Sequence, residues 1–165
     1  MTIQLWSSTT VQALPEVSVC VFPNCSFSHT VCCLDNFHKL LPLGVAHNIR
    51  LVILNRRDYA GSTKYTDENL KDLVAGDESF MERLALEVKH FLLWFVDTHN
   101  IPKITADRKS GGFAIMGWSM GSATAFSLIG YPDVVGNESY QRLEPYLRQL
   151  ILYGACLDEY DNAST

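Results

Sequence analysis

A chain of 165 residues, 47% hydrophobic and 19% charged, is long enough for one domain around one core and too apolar to remain disordered. Its formal net charge of -5, with lysines and arginines scattered, offers no basic stripe to nucleic-acid phosphates or to an anionic membrane surface. No stretch approaches the roughly 18 to 20 charge-free apolar residues of a membrane span.

Two short apolar clusters, Ile3 to Trp6 and Val11 to Leu14, read as fragments of a hairpin. Val17 to Phe22 is rich in β-branched residues and is stopped by Pro23 and Asn24, as a strand would be. Within Val31 to Leu43, the spacing of Leu34, Phe37, Leu40 and Leu41 predicts a helix, ended by Gly44. The nearly continuous apolar run Ile49 to Leu54 suits a strand covered on both faces. Asn55 to Lys64 is a charged loop, after which Thr66-Asp67-Glu68 opens a long helical region. That region carries one short stripe (Leu70, Leu73, Val74) and one long one (Met81, Leu84, Val88, Phe91, Leu92, Phe95), with a break at Gly76-Asp77.

Thr98 to Gly112, with Pro102 and Gly111-Gly112, reads as an exposed return loop. Phe113 to Met116 is a strand, and a helix follows the next turn through Ile129. Tyr140 to Leu147 is expected to be a further short helix, and Gln149 to Tyr153 a last strand. Strand–helix alternation of this kind predicts an α/β fold: a parallel three-layer sandwich with about four central strands and helices on both faces. No shift in composition divides the chain, so 1–165 reads as a single domain with its core at 17–155.

The five cysteines, Cys20, Cys25, Cys32, Cys33 and Cys156, have no zinc-ligand spacing and no secretory leader before them. They read as reduced thiols in a cytoplasmic protein, and no metal is expected. Gly111-Gly112 precedes a strand, and neither a dinucleotide nor a phosphate-binding glycine motif occurs, so no cofactor is expected either. Arg56-Arg57-Asp58 follows a strand end; a pair between an arginine and Asp58 is favoured there over an anion site.

The most chemical segment is Gly117-Trp118-Ser119-Met120-Gly121, between the Phe113 strand and a helix that opens with Ser122, Ala123 and Ala125. A strand that turns hard into a helix needs small residues two before and two after the bend, which Gly117 and Gly121 supply. The bend would lift the Ser119 hydroxyl to the end of the sheet. It would also aim the Met120 amide, at the start of the helix, toward an oxyanion.

In this segment, and in Val52 to Ser62 with its arginines, Asp58, Gly61 and Ser62, the chain resembles the α/β-hydrolase superfamily. The Thr98–Gly112 connection and the decorated loop after Asn55 are similar to those of fungal members. The resemblance implies a serine hydrolase acting on an ester-like or related small apolar substrate. Ser119 would be its nucleophile, Met120 one oxyanion donor and Asp158 the acid. The second donor falls at Asn24 or Cys25, where Phe22-Pro23-Asn24-Cys25 replaces the family's usual His-Gly pair and Pro23 has no N–H to give.

In that family the general base is a late histidine, but His29, His38, His47, His90 and His99 all precede Ser119. The resemblance therefore implies a C-terminally truncated member of impaired activity. The alternative is a non-catalytic fold remnant that binds a small ligand or a partner chain. An uncovered edge at the Gln149–Tyr153 strand would invite self-association.

Overall fold

The computed structural model describes residues 2–5, 17–22, 38–58 and 62–154. Its five-stranded sheet contains β1 (Thr2–Leu5), β2 (Val17–Phe22), β3 (Ile49–Asn55), β4 (Phe113–Trp118) and β5 (Leu147–Tyr153), in the order β1-β3-β2-β4-β5. β2 lies parallel between β3 and β4, and β5 is parallel to β4. The described residues are therefore α/β, with a parallel set of strands to which β1 adds an antiparallel edge.

The amino-terminal cluster holds a strand whose partner among the described residues is β3. β1 runs antiparallel to β3, with Ile3 opposite Leu54 and Leu5 opposite Val52. Val11 to Leu14 lies outside the described residues.

Helices carry the chain between parallel strands. α1 (Leu41–Ala46) precedes β3, while α2 (Asp67–Ala75) and α3 (Glu78–Thr98) connect β3 to β4. α4 (Gly121–Gly130), α5 (Pro132–Val135) and α6 (Asn137–Leu143) connect β4 to β5.

Local chemistry sets the ends of α2 and α3. Thr66 and Asn69 form a reciprocal capping box at the start of α2, and Gly76, at φ 66°, closes it in the left-handed region that glycine tolerates. Asp77 then accepts the Ser79 amide and starts α3. The break at Gly76-Asp77 is thus a C-cap followed at once by an N-cap.

The long stripe of α3 buries Val88, Phe91, Leu92 and Phe95 against Val52 and Leu54 of β3, Phe113 and Ile115 of β4, and Ala125 and Leu128 of α4. The alternate strand residues Ile53, Met116 and Trp118 face the other way, where Leu40 meets them. Helices accordingly lie on both faces, but unequally.

Two helix boundaries differ from the sequence expectation. Gly44 does not end the first helix: it is buried within α1, where a Cβ would stand 2.9 Å from the Ile49 carbonyl oxygen and 3.2 Å from Leu51. Its small size serves packing of the helix on β3. The expected Tyr140–Leu147 helix is instead Asn137–Leu143, because Tyr146 already turns into the sheet and its carbonyl accepts the Phe113 amide at 2.7 Å. β4 and β5 each extend two residues beyond the expectation, β4 to Trp118 and β5 back to Leu147.

Candidate functional site

The sheet delivers Ser119 to one end of the molecule. β4 stops at Trp118 and α4 begins at Gly121, leaving two residues for the whole reversal. Ser119 absorbs it at φ 54°, in the left-handed region where a side chain crowds its own backbone. The approach is tight: a Cβ on Gly117 would stand 2.5 Å from the Ser122 Cα and 2.6 Å from the Gly121 carbonyl oxygen. Only glycine fits at position 117.

Hydrogen bonds hold the turn. The Ser119 amide donates to the Tyr153 carbonyl at 2.9 Å, the Ser122 amide to the Ser119 carbonyl at 2.8 Å, and the Ser122 hydroxyl to the Gly117 carbonyl at 3.2 Å. Tyr153 and Ser122 are therefore parts of the site that the motif alone did not single out. The slimness expected of Ser122 was one signal; nothing in the sequence pointed to the Tyr153 carbonyl, a backbone group any residue would supply.

Since the Ser119 amide is engaged with Tyr153, it is the Met120 amide that remains at the start of α4. That amide donates to no backbone carbonyl among the described residues. Ser119 is half-buried, and Met120 is 61% exposed. A strained serine followed by an uncommitted amide at a helix start can offer a nucleophile and an oxyanion donor on neighbouring residues.

Asn24, Cys25, Asp158 and His29 lie outside the described residues. His47 precedes β3 and His99 ends α3, so both sit at the end of the sheet where the strands begin, opposite Ser119. His90 is exposed on α3. His99 packs edge-on to Trp94, with ring centroids 5.2 Å apart; burial, and then the Arg50 charge, hold its pKa below the usual histidine value. It is a packed imidazole. No cluster of potential metal ligands occurs among the described residues.

The Arg56–Asp58 segment departs from its expected pairing. Arg57 reaches Glu87 at 3.3 Å, Asn69 at 3.2 Å and the Lys64 carbonyl at 2.8 Å, and its guanidinium lies over the Tyr65 ring. Asp58 accepts the Tyr65 amide at 3.0 Å and has Lys64 at 3.9 Å. The loop is steadied by charge, but its arginine binds a glutamate thirty residues away and not its neighbour. Tyr65, enclosed by this network, has its pKa raised by burial, against a partial offset from Arg56.

Among the described residues no helix is long and apolar enough to cross a membrane. No family model, curated protein or solved structure matches the chain.

Proposed function

We propose that the Gly117–Gly121 turn is the nucleophile elbow of an α/β-hydrolase-type serine hydrolase acting on an ester-like, small apolar substrate. In this reading the Ser119 hydroxyl oxygen attacks the carbonyl carbon and the Met120 amide stabilises the developing oxyanion. The oxyanion collapses, the ester's C–O bond breaks and the alcohol leaves with the proton given up by Ser119; water then attacks the acyl carbon, releasing the acid and returning a proton to the Ser119 oxygen. The observation that carries the reading is the left-handed backbone of Ser119 between β4 and α4, with Gly117 pressed against Ser122. Such strain is retained where the surrounding structure enforces it, and it clusters at reactive residues.

A serine hydroxyl is a weak nucleophile until a base takes its proton, so the rate in this reading depends on a base reaching Ser119. Binding and oxyanion stabilisation alone supply about 10³–10⁴ over water in serine hydrolases stripped of their triad. In a second reading the fold binds a small ligand or partner chain without turnover.

A fluorophosphonate probe separates the two. Covalent labelling of the folded chain at Ser119, lost in Ser119→Ala, is the expected result. No labelling of folded protein at long incubation would remove the activated serine and leave the binding reading.

A further inference from the structure

We draw no further inference here: the strongest candidate, the side-chain cluster of Arg56, Arg57 and Tyr65 between the end of β3 and the start of α2, leaves the buried Arg56 Nε and Nη1 without a hydrogen-bond partner among the described residues, but residues 59–61 beside it lie outside them and nothing in the structure shows what meets those atoms.

Discussion

Ser119 holds a conformation that its own Cβ resists, and the strain can be measured without any assay of activity. At φ 54° glycine is at ease while alanine is not, and both substitutions remove the hydroxyl. Ser119→Gly should therefore be more stable than Ser119→Ala by about 1 kcal/mol in urea unfolding, after allowance for glycine's looser unfolded chain. Gly117→Ala acts in the opposite sense. Its methyl would meet the Ser122 Cα at 2.5 Å, backbone against backbone, so a loss of about 2 kcal/mol or more is expected in the same measurement. At the far end of the sheet, the depressed pKa of His99 makes stability fall as pH is lowered. The unfolded imidazole takes a proton near 6.5 while the folded one does so only at lower pH, so the unfolded state binds more protons in that window. Urea midpoints should drop from pH 7.5 to pH 5 by more in the native chain than in His99→Gln.

The elements show which parts of the fold a sequence can disclose. α3 was legible because its stripe repeats at helical spacing over about four turns and its start is chemically marked by Gly76 and Asp77. Ser119 was legible because a strand-to-helix reversal in two residues demands small neighbours, and Gly117 meets that demand in the chain itself. Gly44 was misread because helix ends and helix-on-strand contacts both select glycine, and only the 2.9 Å approach to the Ile49 carbonyl separates the two. The Arg57–Glu87 pair was out of reach for a different reason: surface carboxylates are many, and the three-dimensional fold chooses among them. Arg148 is a similar case. Its guanidinium gathers the carbonyls of Arg108, Ser110 and Gly111, pinning the loop before β4 to β5 across nearly forty residues of chain. Gly111 at φ 76° and Gly112 at φ 71° give that loop its shape. Arg148→Ala should cost about 2 kcal/mol in thermal or chemical unfolding, since charged hydrogen bonds to partly buried carbonyls are lost together. Arg148→Lys, with a point charge in place of a planar fork, should recover only part of it.

At the scale of the whole molecule, the described residues cover the two faces of the sheet unequally. One carries a continuous core in which Val52, Leu54, Val88, Leu92, Phe95 and Phe113 are essentially inaccessible to water. On the other, the described residues place only Leu40, Met116 and Trp118 around Ile53. The hydrophobic contribution to stability scales with apolar area removed from water, so among the described residues the larger share comes from the α3–α4 side. A matched pair of truncations tests this imbalance. Phe95→Ala empties a site in the middle of the closed core and should cost about 3–5 kcal/mol. Met116→Ala removes a half-buried side chain on the open face and should cost about 1 kcal/mol, because less area is exposed and the gap can fill with water. Against a total of about 5–15 kcal/mol for a domain, the first leaves the chain close to unfolding at room temperature and the second leaves it folded. Equal losses in urea unfolding of the two variants would mean that the open face is packed as tightly as the closed one. The stability would then have to be shared evenly between the two sides of the sheet.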